Sequence, residues 1–175
     1  MSTLGRPSAA YAGDRGEPDP EVRALLAQAG ERDGYLRAVA ALCTARFLLP
    51  VVALGDDSGD GPDPDRHAEL QAVHLKAADG RVALAAFTGL DALAAWRPDA
   101  RPVPCRLDEV AEAAVQQDAV AILVDIAGPS PLVIEGELLA QLAARRRLVE
   151  LPDGGWGWLF GVPADGDSLP EGATG

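Results

Sequence analysis

The stretch from Arg81 to Trp96, RVALAAFTGLDALAAW, constrains the fold more than any other part of the chain. Its first half is a continuous apolar run, which is typical of a strand that is covered on both faces. After Thr88 the apolar residues return at helical spacing, with Leu90 and Leu93 on one side. The sequence therefore predicts a central strand over residues 82–87 that leads directly into a helix.

Thr88 lies at the junction between this strand and this helix. Its hydroxyl is predicted to cap the helix, and Asp91, three residues later, would complete a capping box. A strand-to-helix turn is also where some hydrolases carry a nucleophile, but the GxSxG pattern of those enzymes is missing from this turn. The pattern favours a structural threonine.

The remaining patterns predict one mixed α/β, or α+β, domain over residues 18–160. Apolar residues at helical spacing predict further helices over 19–29, 33–43, 107–115 and 136–145. Apolar runs and alternations predict further strands over 46–54, 69–77, 120–127, 132–134, 148–151 and 156–160. Together these elements predict a central mixed sheet of about five strands flanked by helices, with disordered tails over 1–17 and 161–175.

Three segments between these elements carry residues that interrupt regular structure. Pro50 has no backbone donor, so the strand over 46–54 is expected at a sheet edge or at a bulge. Residues 98–106 contain repeated prolines and are predicted to form an extended connector. The acidic loop over 55–67 matches the first positions of a calcium-binding loop, but His67 stands where a bidentate Glu is needed. A solvated hairpin tip is favoured there.

The charge of the chain limits its partners. The formal net charge is -12, so nucleic acid and anionic membrane surfaces are not expected as partners. Apolar runs stay well below the roughly 18 residues that a membrane helix needs. Cys43 and Cys105 are isolated in the sequence, which favours reduced thiols over a disulfide framework. We expect a cytoplasmic protein.

Motifs for cofactors and catalysis are missing from the sequence. Neither GxGxxG nor GxxxxGK[ST] occurs, so no nucleotide cofactor is predicted. His67 and His74 have no cysteine or paired carboxylate at ligand spacing, so no metal site is predicted. These observations favour a protein that is not an enzyme.

Asp125 is the one carboxylate that the sequence pattern places within an apolar strand. A buried Asp must be paired or protonated, so it is either a site residue or a cap for the turn that reaches Gly128. Ligands of open α/β sheets bind beyond the carboxyl ends of the strands. Thr88, Asp125 and Ser130 are therefore the candidate ligand-binding residues.

The C-terminal part holds three further features. The strands over 148–151 and 156–160 flank Pro-Asp-Gly-Gly, which predicts either a hairpin or a loosely held aromatic arm. Trp156, Trp158 and Phe160 alternate, so an extended segment places them on one side, where they form either a core lid or a partner-binding patch. The run Arg145 to Arg147 is expected to complement the dipole of the preceding helix, the alternative being an acidic partner.

The chain resembles the SseB N-terminal domain family. The resemblance lies in RFLLPVV, in VALAAFTGLDALAAW, in the helix from Leu107 and in VAILVDIAGPSPLVI, and covers roughly residues 43–150. It implies a cytoplasmic bacterial α/β domain with variable extensions and no established enzymatic activity. The family commonly has an Asn-Pro pair before the Gly-Pro turn, where this chain has Asp125, Ile126 and Ala127.

Two functional hypotheses follow. The first is a non-enzymatic protein-interaction or regulatory module that binds a protein partner, or a second copy of itself, through its aromatic C-terminal segment. The alternative is a small-molecule-sensing domain with a pocket near Thr88 and Asp125.

Overall fold

The computed structural model describes residue 11 and residues 13–53 and 70–160 of the chain. Five helices lie in this part: α1 (Pro20–Ala27), α2 (Arg32–Leu42), α3 (Leu90–Trp96), α4 (Leu107–Gln116) and α5 (Gly136–Ala143). The strands are β1 (Arg46–Ala53), β2 (Leu70–Ala72), β3 (His74–Lys76), β4 (Val82–Ala86), β5 (Arg101–Arg106), β6 (Ala121–Val124), β7 (Leu132–Glu135), β8 (Arg146–Glu150) and β9 (Trp156–Phe160). The predicted α+β class, with helices flanking a mixed sheet, is confirmed.

The central sheet has four strands in the order β3-β4-β6-β7. Strands β4 and β6 are parallel, whereas the pairs at the two sides are antiparallel. Along β4 the side chains alternate between two cores: Leu84 and Ala86 belong to the main cluster, and Ala85 and Phe87 to a smaller one beneath α3. The prediction that this strand is central and covered on both faces is confirmed.

Strand β1 lies in the middle of a separate three-stranded sheet, in the order β2-β1-β5, so the edge position predicted from Pro50 is wrong. The carbonyl of Pro50 accepts from the Val73 amide at 3.1 Å, on the side where β2 ends. Just beyond this point Leu48 and Phe87 exchange two backbone hydrogen bonds, which join β1 to the end of β4. Proline is tolerated inside the sheet because the partner strand changes there.

The prediction of a connector over 98–106 is also wrong, because Arg101–Arg106 forms strand β5, which pairs with β1. Pro102 and Pro104 lie opposite Pro50 and Leu48, whose backbone groups bond on the far side of β1. The prolines therefore occupy positions where an edge strand needs no donor. Prolines at every second position are compatible with an edge strand as well as with a connector.

Two predicted helix ends differ from the structure. The residue before the first turn of α2 is Glu31, and Asp33 lies within that turn rather than capping it. Helix α5 ends at Ala143 with no basic residue in its last turn. Arg145 has a φ of 59°, and the following two arginines begin β8, so the interpretation that these arginines complement the helix dipole is wrong.

The last residues of the predicted N-terminal tail contact the domain. The Asp14 carboxylate forms an ion pair with Arg46 at 2.6 Å, and the carbonyl of Gly16 accepts from the Leu90 amide at 2.8 Å. The loop over 55–67, with its considered calcium site and His67, lies outside the described residues, as does the predicted tail over 161–175.

Candidate functional site

The candidate site lies where the parallel strands β4 and β6 end side by side. The amide of Asp125 still donates to the Ala86 carbonyl at 3.0 Å, which extends the ladder by one residue. The backbone of Asp125 then turns, with a φ of 49°, and its carbonyl accepts from the Gly128 amide at 2.7 Å. The predicted strand over 120–127 therefore ends at Val124, and the Asp125 side chain points toward the end of β4.

Thr88 and Asp125 are brought together as predicted, and both are buried, with 3% and 1% of their surface exposed. The Thr88 hydroxyl donates to Asp125 Oδ2 at 2.5 Å, and the Thr88 amide donates to Asp125 Oδ1 at 2.8 Å. The capping box predicted for Thr88 and Asp91 is wrong, because Gly89 precedes the first turn of α3 and no side chain caps it. The carboxylate of Asp125 competes successfully for both donors of Thr88.

Arg23 from α1 completes the cluster. Its Nε donates to Thr88 Oγ1 at 2.7 Å and lies 3.3 Å from Asp125 Oδ2. Its two terminal nitrogens donate to the two carboxylate oxygens of Asp91, at 3.2 and 2.8 Å. One guanidinium therefore binds two carboxylates and one hydroxyl, a geometry that suits its fixed fork of donors. We call these four residues the strand-end cluster.

The electrostatics of Asp91 reflect this arrangement. Burial acts to raise the pKa of its carboxyl, but the Ala92 amide and the Arg23 guanidinium outweigh burial, so the pKa lies below its ordinary value. Asp91 is thus ionised at neutral pH and pairs with a permanent cation. The cluster is held by charge as well as by hydrogen bonds.

A second arginine fixes the same junction from the other side. Arg46 donates to the Thr88 carbonyl at 3.3 Å and to the Glu17 carbonyl at 2.7 Å, besides its ion pair with Asp14. The segment before α1 is thereby held across the start of α3. This segment positions α1, and with it Arg23, over the strand ends.

The predicted ligand pocket is filled by the protein itself. The Arg23 side chain, 17% exposed, occupies the space beyond the two strand ends. A cavity of about 180 Å³ lies nearby, between Tyr11, Gly16, Leu90 and Pro104 among others, but it is not lined by the predicted residues Thr88, Asp125 and Ser130. It is smaller than the roughly 300 Å³ of a typical ligand pocket.

Ser130 does not join the cluster. It lies half-buried in the loop before β7, and the hydrogen bonds of Thr88 and Asp125 go to other partners. Sequence reasoning missed Arg23 and assigned Asp91 a different contact. The one sequence signal for the role of Arg23 is its position directly beside the apolar stripe of a capped helix. A charged residue at such a position is usually solvated, so the signal does not indicate a buried contact.

The hydroxyl and thiol groups in and near the cluster are already engaged or protonated. The Thr88 hydroxyl donates to the Asp125 carboxylate and accepts from the Arg23 guanidinium. Burial, together with the charge of Glu109, raises the pKa of the Cys105 thiol to about 12, which leaves it protonated at neutral pH. Among the described residues, no group of three or more His, Cys, Asp and Glu side chains is arranged to hold a metal ion.

The C-terminal segment forms the hairpin that its sequence predicts, with β8 antiparallel to β9. Trp156 and Trp158 are half-buried and pack against the main core. Phe160, on the same side, is 69% exposed and lies beneath the Arg146 guanidinium, 4.9 Å from its ring centre. The two tryptophans therefore belong to the core lid, and only Phe160 of the three is available to a partner.

The opposite side of the hairpin is exposed and apolar. We call it the outer hairpin face, and it comprises Arg147, Val149, Leu151, Gly157 and Leu159. Leu159 pairs with Arg147 across the strands and is 56% exposed. Leu151, also exposed, lies over Gly157, where an added Cβ would come within 3.1 Å of its side chain.

These features define a small α+β domain whose strand-end site is closed by its own arginine, with an exposed hairpin at its C-terminal side. The chain belongs to the SseB protein N-terminal domain family, whose model matches residues 22–141. The match begins earlier than the resemblance over 43–150 and includes the strand-end cluster, whereas the hairpin lies beyond it. No curated protein and no solved structure matches the chain. None of the helices among the described residues is long and apolar enough to cross a membrane.

Proposed function

We propose that this domain is a cytoplasmic, non-enzymatic interaction or regulatory module that binds a protein partner through its C-terminal hairpin. The observation that carries the proposal is the occupation of the strand-end site by Arg23. A small molecule would have to displace an arginine that is bound by two carboxylates and anchored by α1. Among the described residues, Arg23 takes up the space beyond Thr88 and Asp125, which disfavours the alternative hypothesis of small-molecule sensing.

The outer hairpin face supplies the surface that a partner would cover. Leu151 and Leu159 are exposed on the same side of the hairpin as Arg147, in a chain that is otherwise strongly acidic. Exposed apolar residues that cluster next to an arginine are typical of protein interfaces. The two tryptophans behind this face fix the hairpin on the core, so the surface is presented on a rigid support.

The test is a comparison of partner binding by the chain and two variants of it. The tagged protein is used to recover partners, each partner is identified and purified, and its binding is then measured directly. Leu159→Arg on the hairpin is compared with Val115→Arg on α4, because Val115 is similarly exposed, at 50%.

A partner whose binding is lost in Leu159→Arg and kept in Val115→Arg supports the proposal. The proposal is overturned if every purified partner binds both variants equally well. It is also overturned if the purified protein turns over a substrate, since no reactive group is available in the described site.

A further inference from the structure

We infer that β9 pairs with β9 of a second copy of this chain, antiparallel and around a twofold axis at Trp158. The inference rests on the proposed function, since it names the partner of the same hairpin. It places the sheet β8-β9 of one copy in line with β9-β8 of the other.

The first reason is that, in the part of the chain that the structure describes, no strand covers the outer edge of β9. The outer edges of the larger sheets are blunted: β5 carries two prolines, β3 is three residues long, and the Val133 carbonyl of β7 is bonded by the Tyr35 hydroxyl at 2.8 Å. Strand β9, WGWLF, has five residues with no charge and no proline, and within the described residues it pairs only with β8. Such an edge is a template for another strand.

The second reason is the direction of the free backbone groups. The Leu151 amide donates to the Gly155 carbonyl at 2.8 Å, and hydrogen-bonded positions alternate along an antiparallel pair. The backbone groups of Trp156, Trp158 and Phe160 therefore point away from β8. In a twofold pairing centred on Trp158, these three residues meet one another and exchange their hydrogen bonds.

The third reason is shape on the outer hairpin face. The same pairing sets the exposed Leu159 of one copy opposite Gly157 of the other, which has no side chain of its own. Leu151 of that copy lies over the same glycine, so the two leucines come into contact. The pairing thus covers two apolar side chains that are exposed in the single copy.

The fourth reason is charge. The hairpin has a basic end, Arg145 to Arg147, and an acidic end at its turn, where Asp153 is exposed and bonded only to the Gly155 amide. An antiparallel pairing of two copies brings each basic end toward the acidic end of the other. Strand β9 lies between Arg147 and the partner, so this attraction acts between the two ends as a whole and not through a direct ion pair. Residues 161–175 are less suited than a second copy to pair with the edge of β9, because they contain two prolines and four glycines.

The experiment is the solution mass of the purified full-length chain over a wide range of concentration, by sedimentation equilibrium. The paired strands are short, so we expect a dimer with a dissociation constant on the order of tens of micromolar. Leu159→Arg should weaken the dimer at least about tenfold, whereas Val115→Arg should leave it unchanged.

Circular dichroism of each variant shows whether it is folded. Leu159 and Val115 are both exposed, so we expect both variants to fold. The inference is overturned if the mass stays at the 18.1 kDa of one chain up to a concentration of about 1 mM. A dimer that is insensitive to Leu159→Arg overturns it as well. A monomer that still binds another protein through Leu159 would refute the second copy and leave the proposed function standing.

Discussion

The Thr88 hydroxyl donates a 2.5 Å hydrogen bond to the Asp125 carboxylate, across the ends of two parallel strands. Both side chains are buried. The guanidinium of Arg23 donates to the Thr88 hydroxyl and lies 3.3 Å from the same carboxylate oxygen of Asp125. A buried carboxylate is stable only when it is paired in this way. The strand-end cluster is therefore a folding device at the place where many α/β domains bind a ligand.

Replacing Thr88 by Val should destabilise the domain by about 1–3 kcal/mol, because it removes the hydroxyl that donates to Asp125 Oδ2 and accepts from Arg23 Nε while keeping the shape of the side chain. Thr88→Ser retains the hydroxyl and should cost clearly less. Urea unfolding of both variants measures the difference. Equal losses would mean that the methyl group, rather than the hydroxyl, matters at this position.

Replacing Arg23 by Ala should cost about 3–5 kcal/mol, since it leaves the Asp125 carboxylate buried without its cation. Arg37, whose ion pair with Glu150 is exposed, is the matched control, and Arg37→Ala should cost much less, because solvent screens an exposed pair. Thermal and urea unfolding provide the measurement. Similar costs for the two variants would show that the cluster is no stronger than a surface pair.

Alkaline pH should weaken the fold through Cys105. Burial raises the pKa of its thiol to about 12, so the folded protein keeps a proton that the unfolded chain loses near pH 8.5. Stability is therefore retained below this pH and falls as pH rises toward 12, by up to about 1.4 kcal/mol per pH unit.

Unfolding of the native chain and of Cys105→Ala between about pH 8 and 10.5 tests this slope. The buried Cys43 and the half-buried Tyr35, whose pKa values burial also raises, remain in both proteins and act in the same direction. The difference in slope therefore belongs to Cys105. Parallel pH profiles would contradict the prediction.

Gly16→Ala should loosen the segment that holds α1 over the strand ends. Gly16 has a φ of 75°, and an added Cβ would come within 2.4 Å of the Leu90 side chain. Gly13→Ala shares the positive φ but meets no atom within 4 Å, so it reports the backbone strain alone. We expect Gly16→Ala to cost about 1 kcal/mol or more beyond the control, measured by thermal unfolding. A cost no greater than that of Gly13→Ala would show that Leu90 adapts freely.

Much of the fold could be predicted because local patterns and tertiary structure agree. The apolar run of β4 predicted its central position, and the segment from Arg146 to Phe160 predicted a hairpin. The meeting of Thr88 and Asp125 followed from parallel strands that end at one edge. The family was predicted from the same segments, and the family match confirms it.

The errors arose where a residue had two compatible roles. Proline excludes a donor, but Pro102 and Pro104 lie where no donor is needed, so a connector and an edge strand look alike. Arg23 could not be paired with Asp125, because nothing in a single sequence relates a surface position of α1 to a turn after β6. The arginines after α5 were assigned to the helix because the left-handed turn at Arg145 carries no glycine to mark it.

The account depends most on Arg23 occupying the strand-end site in solution, and the exchange of its Nε–H with water measures this directly by ¹H–¹⁵N NMR. We predict that this proton exchanges slowly, because it is donated to the buried Thr88 hydroxyl and lies beside the buried Asp125 carboxylate. The exposed guanidinium of Arg147 provides the rapidly exchanging reference. An Arg23 Nε–H that exchanges as fast as that of Arg147 would contradict the account and would leave the strand ends open to a ligand.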